Sequence, residues 1–252
     1  MNKEYGLIGL AVSVIILSLL LPPIPQDLAY HHFADQRTWL GIRNAGDVLS
    51  NSVFLLVGIL GLALLQCGPS LDMPPSLHRQ YSIFFAGVLL TGLGSAYYHS
   101  APDNPHLFWD RLPMTIAFMS FFCSVVHEAV DARMGERLLW PLLSLGAGST
   151  IYWQWSESMG HGDLRFYGLV QFLPMLLLPL ILLLYPTDRT YRRHVIGLML
   201  CYLLAKIAEL LDHQIYQLLG FISGHSLKHL LAGGGTYCIY ALLKQRRSLQ
   251  ND

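Results

Sequence analysis

Apolar and polar positions alternate along this chain on a long wavelength. Eight mostly apolar stretches lie near residues 5–22, 48–66, 80–98, 111–128, 137–154, 165–185, 193–211 and 225–243. A helix needs about 20 such residues to cross a hydrocarbon core, and it satisfies its own backbone polar groups on the way. The connections are short, with no stretch long enough for a separate soluble domain. The pattern predicts an all-α, polytopic membrane helical bundle. The first stretch, GLIGLAVSVIILSLLLPPIP, has only Lys3 against Glu4 ahead of it and no A-x-A-like site before its prolines. It reads as an uncleaved helix rather than a secretory signal.

Composition agrees. Of 252 residues 53% are hydrophobic and 13% charged, about half the charge of an average soluble domain. Lys+Arg and Asp+Glu both number 16, so bulk charge does not point to nucleic acid as a partner. Cys67, Cys123, Cys201 and Cys238 are scattered without a CxxC pair, which suits small packing residues rather than a disulfide framework.

Charge placement sets an expected orientation. With eight spans, ten basic residues fall on one side, among them Lys3, Arg79, Arg189, Arg193 and Arg247, and four on the other. The positive-inside rule then puts both termini in the cytoplasm. Histidines run the opposite way: eight of the eleven fall on the non-cytoplasmic side.

Three polar stretches meet at that side. The third span closes with GLGSAYYHS, carrying Ser95 and His99. LFWDRLPM opens the fourth with Asp110, and GHSLKHLLAG opens the eighth with His225 and His229. Residues four apart share a helical face, so the HxxxH pair presents two imidazoles together, and His99 offers a third from a neighbouring helix. Three protein ligands and one open position make a catalytic zinc arrangement. Ionisable groups in hydrocarbon are costly and face a cavity or partner; a metal supplies one reason for their presence, and an interfacial role for single histidines is the simpler alternative. SxxxH is weak by itself, because serine in a span often bonds its own backbone.

Elsewhere structural readings lead. Lys206, Glu209 and Asp212 suit an ion pair within the seventh span that also lines the same cavity. Tyr152, Trp153 and Trp155 read as an interfacial aromatic belt, Gly233–Gly235 as a close-packing patch, and Arg189, Arg192 and Arg193 as a headgroup anchor.

In order and placement these motifs resemble the alkaline ceramidase family of the CREST superfamily of seven-span membrane hydrolases. The matching stretches are GDVLSNSVFLLVG (Asp47, Ser50, Asn51), SAYYH, WDRLPM and HSLKH. GDLRFYGLVQFLP and AKIAELLDHQIYQLLG look like bacterial members. The resemblance runs from about Phe33 to Leu243. It implies a seven-span core over 33–245, behind an added N-terminal helix and connector (1–32) and ahead of a cytoplasmic tail (246–252). It also implies a bacterial inner membrane and a membrane lipid such as ceramide or another N-acyl lipid as substrate; the charge placement above puts the site on the non-cytoplasmic side.

The implied activity is zinc-dependent amide hydrolysis. His99, His225 and His229 would hold the zinc, Asp110 would act as general acid/base, and Ser95 would donate to the developing oxyanion. Asp110 could instead orient a ligand imidazole. Ester cleavage by the same centre and a progestin/adipoQ-receptor-like role are the rivals. Animal members also carry calcium; Asp47 stands at the position of their acidic residue, with Asp35 upstream. DQRTWLGIRN is poor in carboxylates, however, and calcium takes 6–8 oxygens.

Overall fold

The computed structural model describes residues 3–67 and 71–251. Among the described residues ten α-helices follow one another: α1 (Lys3–Leu20), α2 (Ala45–Ser50), α3 (Ser52–Gln66), α4 (Pro75–Ser100), α5 (Asn104–Ala129), α6 (Ala132–Ser158), α7 (Arg165–Leu184), α8 (Arg189–Leu210), α9 (Asp212–Leu219) and α10 (Gly224–Asn251). A 3₁₀ turn, Leu28–His31, sits in the first connector. No strand occurs among the described residues. The protein is an all-α polytopic bundle, as the apolar wavelength predicts.

Helix starts follow capping chemistry. Asp103, Asp131 and Asp188 each accept a hydrogen bond from the backbone N–H three residues on, satisfying donors that a first turn leaves orphaned. A helix stands at each of the eight predicted stretches. Five regions are long and apolar enough to cross a membrane: α1, α2–α3 taken together, α4, α5 and α7. A sixth counts if α8 and α9, bent by 80° at Leu211, are one broken span. Between them, α6 opens on Arg133, Glu136 and Arg137, and α10 carries two histidines, a lysine and a polar end, which lowers their hydropathy.

The main core gathers Phe54, Tyr81, Phe85, Val125, Leu178 and Ile239 from α3, α4, α5, α7 and α10. α10 packs closely against its neighbours because two of its glycines leave room. A Cβ at Gly233 would meet Val53 of α3 at 2.5 Å, and one at Gly235 would meet Cys201 of α8 at 3.2 Å. Gly234 points into open space, so two of the three expected glycines pack. α1 buries no residue and lies outside, tied to α7 at both ends. Lys3 Nζ donates to the Leu184 carbonyl at 2.6 Å, and Arg165 Nη1 to those of Leu21 and Leu19 at 2.5 and 3.1 Å.

One expectation is corrected. Of the proposed aromatic belt, Tyr152 and Trp155 are exposed, but Trp153 is fully buried. Its ring lies 4.3 Å from the Arg111 guanidinium, and its indole N–H donates to Glu157 at 3.1 Å. A desolvated cation holds this tryptophan inside.

Candidate metal centre

The C-terminal end of α4 and the N-terminal end of α10 meet around His99, His225 and His229. All three are buried. Their ring centroids lie 4.7, 4.9 and 5.0 Å apart, and one nitrogen from each falls within 4.8 Å of the others. Among the described residues this is the one group of three donors that could share a metal ion.

Local contacts explain the convergence. Asn44 Nδ2 donates to the His99 carbonyl at 2.9 Å and fixes the end of α4. Asp212, where α8 breaks into α9, accepts from the backbone N–H of His225 at 2.7 Å and from that of Ala34 at 2.9 Å. The first turn of α10 sits so close to α8 that a side chain at position 224 would strike the Ala208 carbonyl; glycine is required there. Phe33, 3% exposed, closes the cluster from the connector, its ring 4.6 Å from His99 and 4.5 Å from His225.

Neither ring nitrogen of His99 has a partner, and His229 Nε2 has none. Buried polar atoms are nearly always bonded, and lone pairs that converge like these can take a metal ion. Ser50 supports that reading. Its hydroxyl donates to the Asp47 carbonyl at 3.0 Å, so it accepts from His229 Nδ1, 2.7 Å away. The proton thus sits on Nδ1 and leaves Nε2 free, as a neighbour that orients a metal-binding imidazole does. The donor set suits zinc, which takes neutral imidazole nitrogens.

Ser95 and Asp110 stand beside the cluster, 2% and 6% exposed, and line the same cavity. They meet because Gly94 has no side chain: a Cβ there would collide with the Trp109 carbonyl. His229, Ser95 and Asp110 face one cavity of about 220 Å³ whose far wall is apolar, with Phe84, Phe118, Phe121, Met175 and Leu198. The arrangement can hold a metal, activate water and receive a hydrophobic chain.

Asp35 and Asp47, the residues considered for calcium, lie near α10. Asp35 is committed to Arg37, whose Nε and Nη2 reach its two oxygens at 2.8 and 2.7 Å; those bonds hold its carboxyl below the usual aspartate range. Asp47 Oδ1 accepts from Ser226 and Ser223 at 2.6 and 3.0 Å, while its Oδ2 is unpartnered. Asp163 and Arg165 repeat the Asp35–Arg37 clasp at 2.9 and 2.8 Å. The repeated D-x-R spelling, DQR and DLR, was the available signal for both clasps. Phe33 and the anchoring role of Asp212 had none, since both depend on chain crossings.

A helical membrane bundle with a buried three-imidazole centre beside a carboxylate defines a class of candidate membrane metallohydrolases. The ceramidase family model matches residues 44–252, and the chain belongs to the ceramidase family, whose hydrolases act on amide bonds. A search of curated proteins finds no match.

Proposed function

We infer that the protein is an integral-membrane, zinc-dependent amidohydrolase that cleaves the N-acyl bond of ceramide or a related lipid, releasing a fatty acid and an amine. The observation that carries this reading is the set of unpartnered nitrogens on His99 and His229, turned toward His225 and away from any protein partner. His99, His225 and His229 would hold the zinc, which would supply Lewis acidity and lower the pKa of water toward neutrality.

The remaining work falls to side chains. Asp110 takes the proton of the attacking water and returns it to the leaving nitrogen, so water adds across the C–N bond as it breaks. Ser95 donates to the acyl oxygen as negative charge develops there. The apolar wall receives the chain, leaving the amide at the polar end. The uneven spread of basic residues supports cytoplasmic termini, with the centre on the opposite side of the membrane, and the family resemblance supports a bacterial plasma membrane.

The test is fatty-acid release from labelled ceramide by purified protein whose metal content is measured first. Zinc-loaded protein is expected to release the acid, and chelator-stripped protein to lose that activity. Asp110→Asn should keep its zinc while turnover falls about 10²–10⁴-fold. Zinc bound at full stoichiometry with no N-acyl lipid cleaved would favour a receptor and defeat this reading.

A further inference from the structure

Lys228 stands three residues after His225, one turn along α10, with its side chain 15% exposed and lining the cavity of Ser95, Asp110 and His229. Its Nζ donates to His225 Nε2 at 2.7 Å and to Glu209 Oε1 at 3.2 Å. Glu209 is already well supplied. Lys206 pairs with its other oxygen, and the Tyr30 hydroxyl donates to Oε1 at 3.2 Å. Neutralising Glu209 therefore does not require Lys228, and it does not explain an ammonium set against a metal-ligand ring.

Charge around the cavity leaves a surplus. Its wall carries Arg111, Lys206 and Lys228 against Asp110 and Glu209, three cations to two carboxylates. An unmatched cation in a low-dielectric pocket is costly unless a counter-charge arrives. Arg111 is not the free one: Tyr30, Trp153 and Tyr167 enclose its guanidinium at 4.3–5.7 Å, and its Nη2 donates to Gln26 at 2.7 Å. Lys206 reaches Glu209 from the more exposed side, at 32%. An ammonium has three donors. Lys228 spends two, and the one on His225 Nε2 is freed when that lone pair goes to a metal, because an imidazole nitrogen cannot accept from an ammonium and ligate at once.

We propose that Lys228 is a further catalytic residue that binds the acyl oxygen. Its ammonium donates to the amide carbonyl, to the same oxygen as charge develops during hydrolysis, and then to the carboxylate of the released fatty acid. This rests on the amide-hydrolase reading above, and it assigns the acyl half of the lipid, not the amine half, to the Lys228 side of the cavity. The role is that of a fixed charge close to the reacting carbon, where preorganised donors contribute most.

The experiment uses the full chain in detergent. Palmitate and uncharged hexadecanol are titrated into zinc-free wild type, Lys228→Met and Lys206→Met. Lys228→Met is expected to bind palmitate about 10-fold more weakly and hexadecanol unchanged, with Lys206→Met within about 2-fold of wild type for both. After zinc loading, Lys228→Met should hold as much metal as wild type and show turnover down about 100-fold. Equal palmitate binding by wild type and Lys228→Met overturns the proposal, as does an equal loss of hexadecanol or a loss of zinc, either of which marks a scaffold residue. If zinc-loaded wild type cleaves no N-acyl lipid, the hydrolase reading fails separately, and the palmitate comparison still decides whether Lys228 receives the carboxylate.

Discussion

The two ends of the bundle bury polar groups to opposite effect. At one end, Glu128 of α5 takes both amino groups of Arg246 from α10, at 2.5 and 3.2 Å, and the Tyr81 hydroxyl of α4. Arg247 caps the carbonyls of Leu64 and Cys67. The bidentate pair is the strong form of an ion pair, and it ties three helices together. At the other end, three imidazoles from α4 and α10 approach without bonding one another, and neither ring nitrogen of His99 has a partner. Convergence separates the two ends: buried atoms without partners also occur at the first, Arg247 Nε and His127 Nδ1 among them, but among the described residues only His99, His225 and His229 bring three metal-ligand atoms within 4.8 Å of one another. Burial alone does not: His99 and Tyr81 are both fully inside.

The sharpest way to break this contrast is His99→Ala. Zinc binding should be lost, and turnover should fall by more than the 10²–10³-fold typical of losing one oxyanion donor. Thermal unfolding of the metal-free protein should barely move, because His99 gives up no hydrogen bond. A large drop in metal-free stability would show that the ring is structural. Ser50→Ala leaves His229 without its orienting neighbour and should weaken zinc binding about 10–100-fold, read by competition with a chelating dye; unchanged affinity would release Ser50 from that role.

At the closed end the expectation reverses. Glu128→Ala strands Arg246 and Tyr81 and should destabilise the protein by about 1–2 kcal/mol. That is below the 3–5 kcal/mol of a fully buried pair, because Arg246 keeps 28% of its side-chain exposure. Zinc affinity should not change; a fall would mean the two ends are coupled.

The smallest effect concerns the clasps. Arg37 and Arg165 hold the carboxyls of Asp35 and Asp163 below their ordinary range. A depressed folded pKa contributes stability above the unfolded value, about pH 4, and loses it as pH falls through the folded one. Asp163→Asn should therefore flatten the decline in stability on acidification below about pH 4, and an unchanged acid slope would remove this clasp from the stability balance.

Much of the centre was legible because its chemistry has helical spacing. HxxxH and SxxxH put their residues on shared faces, and both hold in α10 and α4. Asp110 was readable as a carboxylate opening a span at the same depth. Trp153 was misread because its two neighbours in sequence, both one or two residues away, do face outward. Its inward turn is set by Arg111, forty-two positions earlier. Asp35 was considered for calcium because the D-x-R spelling puts an arginine within reach without saying that it folds back onto the carboxylate.

By itself the sequence determined the helical class, the eight apolar stretches and the four-residue spacings, because hydropathy and helical period are local properties that burial in lipid turns directly into structure. The tertiary structure decided which lone pairs are left over. That depends on how close helices come, and Gly94, Gly224 and Gly233 allow approaches no other residue would. It also depends on which distant groups claim each donor first: Ser50 for His229, Asp212 for the start of α10, Glu209 for Lys206 and Lys228. A buried nitrogen becomes a ligand only when every nearer partner is already taken, and that count is made in space, not along the chain.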